Sequence, residues 1–167
     1  MLIDTHQHLW DLQQLRLPWL GAQSPLRRSY LPEDYDEATA GLGLGASVYM
    51  EVDVAPEDRL KEAEYVFDLC SRDSNPMVAA VLGGEPASPD FPDYLAVLRG
   101  SPYLRGIRQV LHSDRTPPGF CVRPEFLAGL RHLGECGLSF DLCMRPGELL
   151  HAAEAIAACP ETLFILD

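Results

Sequence analysis

The chain is expected to adopt an α/β fold on a parallel sheet: an incomplete (β/α)8 barrel of about five β/α units plus a sixth strand. Three observations predict it. Short apolar runs alternate with helical patterns along the whole chain. Most of the runs are too apolar for a sheet with one wet face, which suits parallel strands covered on both sides. Their starts lie 45, 30, 29, 32 and 25 residues apart, close to the ~31-residue unit of a barrel of ~250 residues.

The runs are Leu2–Asp4, Ser47–Val52, Met77–Val81, Gly106–Leu111, Leu138–Leu142 and Leu163–Leu166. Between them, Pro56–Cys70 opens with proline and two acids, as a helix N-terminus does. Its expected buried face is Leu60, Ala63, Phe67 and Cys70. Pro124–Leu133 repeats the device with Phe126, Leu127, Leu130 and Leu133. Gly147–Ala158 carries Leu149, Leu150, Ala153, Ile156 and Ala157, and weaker helices fit Pro32–Leu42 and Pro92–Leu98. Alternation of this kind implies a parallel sheet with right-handed crossovers. The first unit is long because Leu9–Tyr30, rich in Trp, Pro and Arg, follows the first strand. Loops at that end of a barrel strand are where active-site lids sit. An open, doubly wound six-strand sheet is the structural alternative, but no Gly-rich phosphate loop follows the first strand.

The 167 residues, 47% hydrophobic, are expected to form a single domain, 1–167, the N-terminal two-thirds of a barrel domain. A net charge of −12 without a Lys/Arg cluster disfavours nucleic acid and anionic membranes as partners. No apolar run approaches the ~20 residues of a membrane span, and no secretory leader precedes the first strand. Five widely spaced cysteines without a C-x-x-C pair read as reduced thiols in a cytoplasmic protein. Open edges at the first and sixth strands would favour pairing with further chains, as a homo-oligomer or with a complementary half.

Candidate chemistry collects where barrel strands end. His6 and His8 follow the first apolar run. Strand alternation points them the same way, so they can share one divalent cation, zinc or manganese. Asp4 is placed to orient a ligand histidine or to cap the strand. Glu51 and Asp53 end the second strand, Arg108 and His112 lie along or past the fourth, Asp141 and Cys143 end the fifth, and Asp167 ends the sixth. Arg108 could grip a substrate carboxylate in bidentate fashion or pair with Glu51 or Asp141. Asp141 could be a metal ligand, a proton shuttle or that partner. Trp10 and His112 join Arg108 and Asp141 as expected substrate contacts. Cys143 has no evident activating base and is expected to be buried.

Ile3-Asp4-Thr5-His6-Gln7-His8-Leu9-Trp10-Asp11, Leu104-Arg105-Gly106-Ile107-Arg108-Gln109 and Phe164-Ile165-Leu166-Asp167 resemble the amidohydrolase-related (amidohydrolase 2) family of metal-dependent hydrolases. The resemblance is to its lactonase-type branch, which includes fuconolactonase and pyrone-dicarboxylate lactonase. It runs from Met1 to Asp167 and covers the first two-thirds of such a protein. It implies a TIM-barrel enzyme hydrolysing a sugar lactone or related cyclic ester, a small molecule that is a lactone or carboxylate, with water attacking the carbonyl. His6 and His8 match the first-strand motif, and Arg108 matches a strand-four substrate contact. The family's later-strand histidine and aspartate would fall after Asp167, so the sequence looks truncated. No catalytic acid or base is assigned within it, and activity of the chain alone is not expected. A metal-dependent decarboxylase of an aromatic or unsaturated acid, from the same superfamily, and a non-catalytic fragment are the alternatives.

Overall fold

A computed structural model describes residues 2–167. The chain divides into two compact units that meet in sequence at Gly83 and Gly84. In the first, β1 (Leu2–Gln7), α1 (Pro32–Thr39), β2 (Leu44–Met50), α2 (Arg59–Cys70) and β3 (Met77–Gly83) follow in order. In the second come α3 (Phe91–Leu98), β4 (Leu104–Val110), α4 (Pro124–Glu135), β5 (Ser139–Cys143), α5 (Leu149–Ala158) and β6 (Leu163–Leu166). β1 pairs with β2 and β2 with β3, all parallel. β4–β5 and β5–β6 do the same. All six expected strands and all five expected helices are present, in the β/α repeat of an incomplete (β/α)8 barrel.

Boundaries moved where tertiary pairing outweighed local pattern. β2 begins at Leu44 rather than Ser47, because Leu44 and Ala46 pair with Leu2 and Ile3 of β1. Two helices turn a different face inward from the expected one. α2 buries Glu62, Ala63, Val66, Leu69 and Cys70 and leaves Leu60 exposed. Glu62 lies on the buried face, where its carboxyl accepts the two hydrogen bonds described below. α5 buries only Ala152 and Ala155, while Leu149, Leu150 and Ile156 stay exposed. Small side chains let this helix lie close to its unit. The apolar runs of β1 and β6 also remain half exposed at Leu2, Ile3, Leu163, Ile165 and Leu166. Among the described residues β1 pairs with β2 and β6 with β5, each along one side.

In the second unit Phe126 of α4 meets Phe140 of β5 edge-on, with ring centroids 5.6 Å apart, and Phe140 meets Phe164 of β6 at 6.5 Å. Such pairs add to the area they bury. This places Phe140 on the helix-covered face of β5 and, by strand alternation, Ser139 and Asp141 on the other. The Gly106-Ile107-Arg108 run of β4 fits the same frame. A Cβ at Gly106 would lie 2.1 Å from Ser139 Oγ and 2.9 Å from the Ser139 carbonyl oxygen. Only glycine allows β4 and β5 to approach so closely. Ile107 is fully buried, and the next residue, Arg108, turns to the opposite face.

Candidate active-site clusters

The first cluster is the histidine pair. β1 runs through His6 and ends at Gln7, so His8 is the first residue past the strand. The release of the backbone there lets the two rings converge further than a continuous strand would allow. Their centroids are 4.8 Å apart, nearly perpendicular, and the Nε2 atoms are 3.1 Å apart. His8 Nδ1 lies 2.9 Å from the carbonyl oxygen of Met50 on β2. A carbonyl only accepts, so His8 Nδ1 carries the proton and the neutral ring keeps its lone pair on Nε2. A backbone acceptor of this kind is how proteins set a metal-binding tautomer. Two nitrogens on one tetrahedral zinc, at Zn–N of 2.0–2.1 Å, stand roughly 3.3 Å apart. The observed 3.1 Å spacing suits a shared cation. Among the described residues no set of three or more His, Cys, Asp or Glu is positioned to hold a metal.

Of the two parts expected of Asp4, its contacts are those of the cap. Its Oδ1 accepts the backbone N–H of His6 at 3.0 Å and its Oδ2 accepts the hydroxyl of Tyr35 on α1 at 2.8 Å. Burial, with the Asp4 charge beside it, pushes the Tyr35 phenol well up from its ordinary range. Tyr35 is therefore a fixed donor, and Asp4 ties the start of the histidine motif to α1. The orienting acceptor is instead the Met50 carbonyl, which no side-chain pattern could reveal.

Beyond β2 the chain makes a tight turn. Glu51 is buried, and its Oε2 accepts the Asp53 N–H at 2.5 Å. Asp53 has φ of 46°, the left-handed region that few non-glycine residues occupy. Glu62 of α2 braces this turn from below. Its Oε1 accepts the Tyr49 hydroxyl at 2.9 Å and the Val52 N–H at 3.1 Å. Burial, reinforced by Glu51, raises the Glu62 carboxyl to about 8. Glu51 and Asp53 thus shape the end of β2, and Glu62 went unseen in the sequence because an acid on a helix ordinarily faces water.

The long segment after His8 is sewn down within this unit. Trp10 and Tyr30 form an antiparallel bridge at its base. Trp10 is buried, donates Nε1–H to the Arg28 carbonyl at 2.7 Å, and packs on Tyr30 with centroids 4.7 Å apart. Arg16 grips Asp58 through Nε at 2.6 Å and Nη2 at 3.0 Å, and Trp19 Nε1–H donates to the Val52 carbonyl at 2.7 Å. The segment is thereby fastened to the β2–α2 connection.

The second cluster lies in the other unit, on the face of β4, β5 and β6 away from Phe140. Arg108 and Asp141 are register partners across β4 and β5. Arg108 Nη1 lies 2.6 Å from Asp167 Oδ2, with side chains only 8% and 11% exposed. Asp167 is thus a partner of Arg108 in addition to the two acids weighed from the sequence. Asp141 is buried, and its Oδ1 lies 3.3 Å from Ser139 Oγ. Burial pushes the Asp141 carboxyl up to about 6. The Ser139 hydroxyl opposes this, Asp167 adds to it, and Arg108 draws it down. His112 sits two residues past β4 and is exposed; its carbonyl accepts Arg145 Nη2–H at 2.6 Å. Cys143, at the end of β5, is partly exposed rather than buried.

The amidohydrolase family model matches residues 3–167. The chain belongs to the amidohydrolase family. Among curated proteins, this amidohydrolase chain is 29% identical over 142 residues to an L-fucono-1,5-lactonase of Burkholderia multivorans, covering 84% of this chain and 46% of that protein. Among solved structures, it superposes on amidohydrolase 2 from Bifidobacterium longum subsp. infantis with a TM-score of 0.75 at 34% identity, covering 99% of this chain and 60% of that one. A Burkholderia multivorans amidohydrolase with bound zinc gives 0.81 at 26% identity, covering 99% and 56%. The chain spans about half to three-fifths of the length of these relatives. Among the described residues no helix is long and apolar enough to cross a membrane.

Proposed function

We propose that the chain is part of a hydrolase that opens a sugar lactone or related cyclic ester, and that His6 and His8 are ligands to a divalent metal, zinc or manganese. The observation that carries this reading is the converged Nε2 pair, 3.1 Å apart, with the His8 tautomer set by the Met50 carbonyl. Its support is the family membership and the lactonase relative. A bound divalent ion would polarise the ester carbonyl or lower the pKa of a bound water.

The chain's own residues do the rest of what can be assigned. The Met50 carbonyl holds the His8 Nδ1 proton, so His8 presents a lone pair without first losing a proton to solvent. Asp4 and Tyr35 fix the backbone of His6. Glu51, Asp53 and Glu62 shape the turn after β2. Trp10 is assigned a packing part in shaping substrate access, from beneath the long segment. Arg108, Asp141 and His112 are assigned contacts to a small-molecule substrate. No residue among the 167 is assigned as the general base.

The test has two readouts. Zinc titration of the chain, followed by competition with a chromophoric chelator, should show one bound equivalent. His6→Gln and His8→Gln should each weaken it by about tenfold or more. Equal zinc affinity in both variants and the wild type would remove the metal assignment. Separately, L-fucono-1,5-lactone should bind the zinc-loaded protein, read by calorimetry, with no turnover expected of the chain alone.

A further inference from the structure

We propose that Cys136 is a nucleophilic thiol served by His132 and Glu135, and that the cavity beside it admits an α,β-unsaturated carbonyl compound with an apolar chain, which Cys136 takes up as a covalent adduct. This assignment does not depend on the metal reading of His6 and His8.

The geometry lies on α3 and α4. His132 and Cys136 stand four residues apart at the C-terminal end of α4, so their side chains share one face. Cys136 Sγ lies 3.9 Å from His132 Nε2. His132 Nδ1 lies 3.2 Å from Glu135 Oε2. A carboxylate only accepts, so Nδ1 of the neutral ring carries the proton and the Nε2 lone pair faces the thiol. A nucleophile, a base beside it and a third group that orients the base form the arrangement that activates a weak nucleophile. Arg99, the residue that closes α3, donates Nη1–H to the same sulfur at 3.4 Å and brings positive charge to it. Cys136 is partly exposed, and reactive cysteines sit in accessible, electropositive surroundings of this kind. Cys70, Cys121 and Cys159 are buried, and burial pushes the thiols of Cys121 and Cys159 up.

His132 also lines a cavity of about 340 Å³, at the small end of the range for ligand pockets. Pro86, Phe91, Pro92 and Ala128 give it apolar walls, and Glu125 adds a negative charge that disfavours an anionic ligand. Ala128 lies two helical turns before Cys136 on α4, about 12 Å along the axis. A ligand whose reactive carbon meets Sγ can therefore lay an uncharged alkyl chain past His132 into the cavity. The step is an addition. His132 Nε2 takes the thiol proton, Sγ bonds the β-carbon, and the C=C electron pair moves to the α-carbon, which receives the proton back from His132. Nothing leaves, and no oxidant or reductant is consumed.

The probes are 2-nonenal, which carries an apolar chain, and acrolein, which carries none. Each is added in limiting amount near neutral pH, and adducts are followed by intact mass and peptide mapping. The first 2-nonenal adduct should map to Cys136. His132→Gln should slow its formation about a hundredfold, and Glu135→Ala should slow it less. Both gaps should close near about pH 10, where a thiol ionises unaided; a merely structural role would not give that pH dependence. Ala128→Phe should slow 2-nonenal about tenfold, the worth of roughly two methylenes left in water, and leave acrolein unchanged. Each variant is checked for a cooperative thermal transition. If His132→Gln lacks one, Glu135→Ala, at a side chain 74% exposed, decides the assignment. First labelling at Cys143 or any other cysteine would overturn the proposal, as would unchanged neutral-pH rates in His132→Gln and Glu135→Ala. An Ala128→Phe rate that falls equally for both aldehydes, or for neither, would overturn the part given to the cavity.

Discussion

Replacing Glu62 by glutamine should make the protein more stable at neutral pH, although it alters a fully buried, hydrogen-bonded side chain. Glu62 is inaccessible to solvent; its Oε1 takes two hydrogen bonds and its Oε2 has none. Unfolded, the carboxyl ionises near 4.5; folded, burial and the neighbouring Glu51 raise it to about 8. Between those values folding must take up a proton, at about 1.4 kcal/mol per pH unit. The stability this group contributes is complete below pH 4.5 and is lost as pH rises towards 8. At pH 7 the loss is about 3 kcal/mol, an upper figure because the turn can relax. Glutamine keeps the Oε1 acceptor and never ionises. Its amide leaves two donors without an acceptor where the protonated acid leaves one, so the variant should be slightly the less stable near pH 4.5. Urea unfolding followed by far-ultraviolet circular dichroism at pH 5, 6, 7 and 8.5 reads the difference directly. The advantage of Glu62→Gln should grow steadily with pH to about pH 8 and then level off. A difference independent of pH, or a variant less stable than the wild type at pH 8.5, would refute the reasoning.

Two further outcomes follow from the same geometry. Gly129→Ala should destabilise the protein by roughly 1–3 kcal/mol, because its Cβ would lie 2.1 Å from the Pro86 carbonyl oxygen, a rigid backbone atom; a thermal melt within a degree of the wild type would contradict this. Arg16→Ala should raise the Asp58 carboxyl, which the Arg16 hydrogen bond and then Lys61 hold well below the usual range. Because a depressed carboxyl stabilises above its unfolded pKa and loses that as pH falls, the variant should lose part of the wild type's resistance to acid. Residues 9–30 should also become easier to cleave in limited proteolysis.

Much of the second cluster was within reach of the sequence. Gly106-Ile107-Arg108 showed an arginine inside an apolar strand, and the strand period placed Asp141 and Asp167 on later strand ends. What could not be read was that Asp167 pairs with Arg108, because that depends on where the end of β6 falls against β5. The histidine motif was legible as a pair but not as a geometry. Its convergence to 3.1 Å depends on β1 stopping at Gln7 and on the Met50 carbonyl from a different strand. Glu62 carried no signal, since only the donors of Tyr49 and Val52 make its burial tolerable.

The sequence by itself determined the order and type of the elements, because hydrophobic period, prolines at helix starts and glycine turns act over a few residues. It also determined the residue types available at each strand end. The tertiary structure alone decided which helix face is buried, that Asp167 pairs with Arg108 and which nitrogen of His8 meets the Met50 carbonyl. Those are choices between partners distant in the chain, and each is settled by burial: a charge or an N–H removed from water takes whichever partner packing brings within about 3 Å.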